Sequence, residues 1–186
     1  PRCKAVDLYC GSAWAAVRGL LAKGTRARSL RLWIVSAGYG LISPETEVAG
    51  YSATFSPGQP DSVIPPSLAR HGVDEWWDGL VSLRRKAGHP VAAIKDIAAR
   101  HPREPLLLAL SSDYLSAVGH DVVRARDALS DPDLLVLISA GSDKRGPLAE
   151  SFLPCDSRFE NMLGRGRTPL NARLLASVLA SNRPGD

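Results

Sequence analysis

Methionine is almost missing from this chain: of 186 residues only Met162 is one, and position 1 is Pro. A chain without an initiator Met is either processed or a piece of a longer protein, and the piece is the expectation here. No run of about 18 apolar residues occurs, so no transmembrane helix and no membrane partner are expected. Pro1-Arg2-Cys3-Lys4 lacks an apolar stretch of the signal-peptide kind, so a cytoplasmic location is expected. The three cysteines, Cys3, Cys10 and Cys155, form no C-x-x-C pair and too small a ligand set for zinc, so neither a metal nor a redox dithiol is expected. No Gly-Lys-Ser/Thr phosphate loop and no G-x-G-x-x-G fingerprint is present, and no cofactor is expected. No Ser-His-Asp arrangement stands out, and His71, His89, His101 and His120 read as surface histidines on or beside helices. No solenoid repeat and no domain boundary is visible.

What is there fits one globular domain over residues 1–186, with a tail at 181–186. Hydrophobic residues make up 45%, and 23 Lys and Arg against 19 Asp and Glu leave a net charge of +4. That excess permits a nucleic-acid partner without requiring one. Basic residues gather at Arg26, Arg28 and Arg31, at Arg84, Arg85 and Lys86, and at Arg158, Arg165, Arg167 and Arg173. Each cluster reads either as a solvated face or as a phosphate contact.

Apolar periodicity predicts a helix over 12–23, with Ser12 as cap and Gly24 as stop. Leu30 to Ala37 reads as a buried strand ending at Gly38 and Gly40. Residues 43–66 hold five prolines and no regular period, so they read as one long loop facing a ligand, with Glu45, Glu47, Tyr51, Thr54, Phe55, Gln59 and Asp61 to offer. Helices follow over 67–87 and from Val91 to Arg100, the second capped by His89-Pro90. A strand over 106–110, a helix from Tyr114 to Leu129 and a strand from Leu134 to Ser139 come next. A last helix starts at Thr168-Pro169 and runs to Leu179. Continuous apolar strands separated by helices predict an α/β fold in three layers, α/β/α, around a mainly parallel sheet.

In such sheets ligands bind beyond the carboxyl ends of the strands. All three strands run out into serine-led turns: Ser36-Ala37-Gly38-Tyr39-Gly40, Ser111-Ser112-Asp113-Tyr114 and Ser139-Ala140-Gly141-Ser142. Small residues let a ligand approach the backbone, and serine hydroxyls donate or accept. Ser36, Gly38, Tyr39, Tyr51, Ser111, Tyr114 and Ser139 are therefore the candidate substrate-binding residues, the tyrosines as flat faces for a base. Gly164-Arg165-Gly166-Arg167-Thr168 precedes a helix start, where free N–H groups and arginines favour an anion. Arg158, Arg165, Arg167, Thr168 and Arg173 are the candidate phosphate ligands. Asp7, Glu45, Asp113 and Asp156 are the carboxylates next to this edge, able to orient a water or steady a cationic sugar. Asp7, Asp156 and Glu45 lead as catalytic candidates, and Asp7 and Asp156 read equally as caps or ion-pair partners.

Asp7-Leu8-Tyr9, then Ser36-Ala37-Gly38-Tyr39-Gly40-Leu41-Ile42-Ser43-Pro44, then Tyr51 and Thr54, carry a resemblance. Over the first third of the chain they resemble the D-L-Y, S-A-x-x-G-L-[IL]-x-P and Y-x-x-[TS] motifs of a bacterial and phage group. That group is similar to the YaaA-like proteins and, more distantly, to uracil-DNA-glycosylase-like α/β domains. The resemblance implies a uracil-DNA-glycosylase-like fold with a site facing a base or nucleotide. Its members carry an apolar strand before D-L-Y. Here Asp7 follows Pro1 so closely that this strand is expected to be missing or to lie in sequence outside these residues. The glycosylase motif G-Q-D-P-Y is absent, so that family's catalytic aspartate has no counterpart here.

The first expectation is a base-processing enzyme acting on DNA, a glycosylase that hydrolyses the N-glycosidic bond of a modified base in phage defence or DNA modification. It leaves room for a partner protein from the same operon. The second is a non-catalytic DNA- or nucleotide-binding module. The third is a nucleosidase or deoxyribosyltransferase acting on free nucleosides.

Overall fold

The computed structural model describes residues 1–22, 30–64, 72–139, 146–153, 159, 163 and 167–181. The elements run β1 (Arg2–Lys4), α1 (Ala5–Leu8), α2 (Ser12–Ala22), β2 (Ile34–Ser36), β3 (Gly40–Ile42), β4 (Glu47–Ala49), α3 (Val73–Lys86), α4 (Ile94–Arg100), β5 (Leu106–Ala109), α5 (Ser112–Ala128), β6 (Leu135–Ile138) and α6 (Arg167–Ser181). The fold is mixed α/β, with three two-stranded sheets among the described residues. β5 and β6 pair in parallel, as continuous apolar strands on either side of a helix predict. β2–β3 and β1–β4 are antiparallel, so among the described residues parallel pairing covers one sheet of the three. Among these residues no helix is long and apolar enough to cross a membrane.

The parallel pair is covered on both faces, and strand alternation sets which residue goes where. Leu135 and Leu137 point into the main core with Leu115, Val118 and Val122 of α5. Ile138, with Val136 and Ala109 beside it, packs on Leu170 and Leu174 of α6. α5 also holds α3 and α4, and α6 holds α2.

Several boundaries differ from the sequence expectation, each for a local reason. The strand expected over 30–37 is only Ile34–Ser36. Its partner β3 runs out at Ile42, where Ser43-Pro44 turn the chain and Pro44 has no N–H to extend the ladder. The turn between them needs Gly40, whose φ is +72° and whose missing Cβ would stand 3.2 Å from the Arg84 side chain. The 43–66 stretch is not one structureless loop. Glu47–Ala49 pairs with Arg2–Lys4, and Thr54 bridges to Ser62, its N–H donating to the Asp61 carbonyl at 2.9 Å. Phe55 between them is fully buried.

The helix expected over 67–87 is Val73–Lys86, and residues 67–71 lie outside the described ones. α4 starts at Ile94 and is not capped by His89-Pro90. The Asp96 carboxylate accepts from the N–H groups of Ala92 and Ala93 at 3.0 Å each, and Asp121 on α5 accepts from Ile94 (2.8 Å) and Lys95 (3.2 Å). A carboxylate from another helix thus satisfies donors that the first turn leaves free. α5 begins at Ser112, two residues before the expected Tyr114, because Ser111 is its cap.

Candidate functional site

The chain has four tyrosines, and the fold gathers all of them beside the end of β2 and the start of α5. Tyr51 is the centre. Its ring meets Tyr39 edge-on at 5.1 Å and Tyr9 edge-on at 6.3 Å between centroids. Tyr9 stacks on Trp14 at 4.9 Å, with the planes 13° apart. Tyr114 meets the buried Phe55 at 5.0 Å and lies within electrostatic reach of both Tyr9 and Tyr51. Edge-to-face pairs at these distances are the favoured aromatic geometry. Gly38 makes the arrangement possible: a Cβ there would stand 2.7 Å from the Tyr51 ring.

The polar tips are linked as tightly as the rings. Tyr51 Oη lies 2.6 Å from Tyr9 Oη and 2.6 Å from Ser36 Oγ. Ser36 Oγ accepts from the N–H of Tyr39 at 3.0 Å and of Gly38 at 3.3 Å. Ser36 itself is buried at the end of β2. Tyr39 is engaged elsewhere: its hydroxyl accepts from Ala49 N–H at 3.0 Å and donates to the Ala49 carbonyl at 3.2 Å, which fixes β4 against the turn. Trp76 Nε1 donates to the Ala37 carbonyl at 2.8 Å, so α3 holds the same turn from outside.

Burial raises the Tyr9 phenol far above its ordinary 10.0, with the neighbouring Tyr51 hydroxyl adding to the shift. Burial also raises Tyr114, and the carboxylates of Asp61 and Asp113 push the same way. Both phenols therefore keep their protons at neutral pH. Each of the two carboxylates is oriented by a serine: Ser56 Oγ donates to Asp113 Oδ2 at 2.8 Å, and Ser52 Oγ to Asp61 Oδ2 at 2.9 Å. The site thus combines flat apolar faces, protonated phenols and two positioned carboxylates.

Among the candidates named from sequence, Ser36, Gly38, Tyr39 and Tyr51 come together, and Tyr114 with Asp113 adjoins them. Ser111 is at the same edge, but its Oγ accepts from Tyr114 N–H as the helix cap. Ser139 is buried at the end of β6. Glu45 is exposed and pairs with Lys4 at 2.6 Å, and Asp7, also exposed, acts on the same Lys4, so these carboxylates form a surface group with a lysine. Asp156, Arg158 and Arg165 lie outside the described residues, as do the side chains of Arg167 and Thr168 at the start of α6. Arg173 is half-buried on α6.

Three residues had no assigned role from sequence. Trp14 backs Tyr9. Asn171, buried on α6, donates to the Leu110 carbonyl at 2.7 Å just past β5. Asp121 is 2% exposed and also accepts from Trp77 Nε1 at 3.1 Å. The readable signal for Asp121 was its place one turn from Ala117 and Val118 and beside Val122, on a face that is otherwise apolar. No protein family, curated protein or solved structure matches the chain.

Proposed function

We propose that the chain processes a nucleobase in DNA, as an N-glycosylase-type hydrolase holding the base against the tyrosine cluster. The observation that carries this is the convergence of all four tyrosines on one strand end together with Asp61 and Asp113. Aromatic faces take any base by stacking, each worth about 1–3 kcal/mol. An enzyme acting on a base must extrude it from the duplex, and stacking on aromatic faces offsets the lost stacking. The D-L-Y and S-A-x-x-G-L resemblance agrees with this reading, as does the helix on each face of the β5–β6 pair, which suits a three-layer uracil-DNA-glycosylase-like arrangement.

In this reading Asp113 is the working carboxylate in preference to Asp7, Glu45 or Asp156. Ser56 occupies Oδ2 and leaves Oδ1 for a water. The water oxygen attacks the anomeric carbon and its proton passes to Asp113. The bond from that carbon to the base nitrogen breaks, its electron pair leaves with the base, and the base is then protonated. Arg158, Arg165, Arg167, Thr168 and Arg173 supply the phosphate contacts of the strand.

One observation favours a second reading, a non-catalytic base-binding module: both carboxylates near the tyrosines are already engaged by serine hydroxyls. The test is incubation of the folded protein with DNA carrying a panel of modified bases, followed by assay for abasic sites and free base. Release from at least one member supports the enzyme. Binding that weakens with salt but releases nothing supports the module.

A further inference from the structure

A surface helix sends its apolar side chains inward and its polar ones outward. In α3, Val73, Trp77, Leu80 and Val81 follow that rule and are buried. Trp76 and Leu83 break it: they are 42% and 63% exposed, two of the three large apolar side chains exposed among the described residues. They stand about two helical turns apart and so lie on one outward stripe. Gly79 lies between them on the same side. A Cβ there would meet nothing within 4 Å, so no crowding within the chain requires a glycine. Glycine inside a helix is less favourable than alanine. What it provides is a notch in the stripe, where another helix can approach closely. The Trp76 ring is already held, since its Nε1 donates to the Ala37 carbonyl at 2.8 Å. A ring fixed beforehand loses little freedom on binding.

The charges along α3 decide what can cover the stripe. Asp78 and Arg85 are engaged within the chain, by His120 at 3.0 Å and by Asp96 at 3.2 Å. Glu75 and Lys86 have no ion-pair partner among the described residues. They lie about three turns apart, at opposite ends of the stripe and along the same flank of it. With Asp74 and Glu75 in its first turn and Arg84, Arg85 and Lys86 in its last, α3 is complementary to itself. That holds only when two copies run antiparallel. A parallel pair would set like charges together.

We propose that α3 is the contact of a twofold-symmetric homodimer. The Trp76–Gly79–Leu83 stripes of two copies pack antiparallel, and Glu75 of each copy meets Lys86 of the other. Such a contact is isologous and closes on itself, so assembly stops at two copies.

Two 14-residue helices make a small interface, so self-association with a Kd on the order of 10–100 μM is expected. Sedimentation equilibrium of the intact chain, loaded at up to about 500 μM, measures it. Leu83→Glu, a change at an exposed residue, should weaken the dimer about tenfold or more. Glu75→Lys and Lys86→Glu should each weaken it about threefold or more by placing like charges across the contact. The two together in one chain should restore it to within about twofold of wild type. Urea midpoints near wild type show that these surface substitutions leave the fold intact. A chain that stays monomeric at the highest loading overturns the proposal and leaves the stripe to a different partner. A dimer that ignores Leu83→Glu uses another face and overturns it too. Single charge changes that the double variant does not rescue overturn the antiparallel pairing.

Discussion

Gly38→Ala adds one methyl group at the most crowded point of the cluster. The backbone there accepts alanine, since Gly38 is not among the glycines with positive φ. The difficulty is the Tyr51 ring, with Cε2 at 2.7 Å and Cδ2 at 2.8 Å from the new Cβ, where an ordinary contact begins at 3.4 Å. The ring must retreat by about 0.7 Å, the difference of those distances. That stretches the 2.6 Å contacts from Tyr51 Oη to Tyr9 and Ser36 toward the limit of hydrogen bonding. Overpacking of this kind costs about 1–3 kcal/mol, and weakening two hydrogen bonds adds up to about 1 kcal/mol each. Alanine returns about 0.4–1 kcal/mol by restricting the unfolded chain. The net expectation is a loss of about 2 kcal/mol, read by urea denaturation. In a Tyr51→Ala background the ring atoms nearest the new Cβ are gone, so the same change should be close to neutral. The cycle should then give a coupling of about 2 kcal/mol between positions 38 and 51. A coupling below about 0.5 kcal/mol would refute the packing account.

Further outcomes follow from the same geometry. Asp121→Ala leaves the donors of Trp77, Ile94 and Lys95 unpaired in the core, and should cost about 3 kcal/mol in a urea midpoint measurement. A loss under about 1 kcal/mol would remove Asp121 from its capping role. In an ultraviolet titration Tyr9 and Tyr114 should ionise above the ordinary tyrosine range, since burial raises both. The stability tied to these phenols is complete below their unfolded value near 10.0 and declines as pH rises above it, because the unfolded chain then loses protons that the fold retains. Stability that rises over that alkaline window would contradict the assignment. If base release is found, Asp113→Asn should lower its rate by about 100-fold or more, while Asp7→Asn and Glu45→Gln on the surface leave it within about twofold. The reverse pattern would move the chemistry to the Lys4 edge.

The parts of the fold legible in the sequence are those where one chemical signal decides the outcome. Leu106–Ala109 and Leu135–Ile138 are apolar on both faces, and both are strands, the first half-buried along its length and the second buried at three of its four residues. Ser36, Gly38 and Tyr51 were readable as a group because a small turn after a strand leaves room for a side chain from the next loop. What was not legible depends on partners distant in sequence. β4 has a single buried residue, Val48, and exists because Arg2–Lys4 lies beside it. Asp96 caps α4 locally, but the other part of its cap comes from Asp121, 27 residues beyond Ile94. Asp7 and Glu45 had the residue type for catalysis, but both are exposed, Glu45 paired with Lys4 and Asp7 acting on the same lysine. Tyr9 was visible only as part of a motif. Its contact with Tyr51 spans 42 residues, which no local period encodes.

The central claim is that a base rests against Tyr9, Tyr51 and Tyr114. Photocrosslinking tests it most directly: a single-stranded oligonucleotide with iodouracil at one position is irradiated with the protein, and the adducts are mapped by mass spectrometry. The account predicts adducts on Tyr9, Trp14, Tyr51 or Tyr114 that an excess of unmodified strand suppresses. Adducts confined to α6 or the outer face of α3, with none on these four residues, would contradict it.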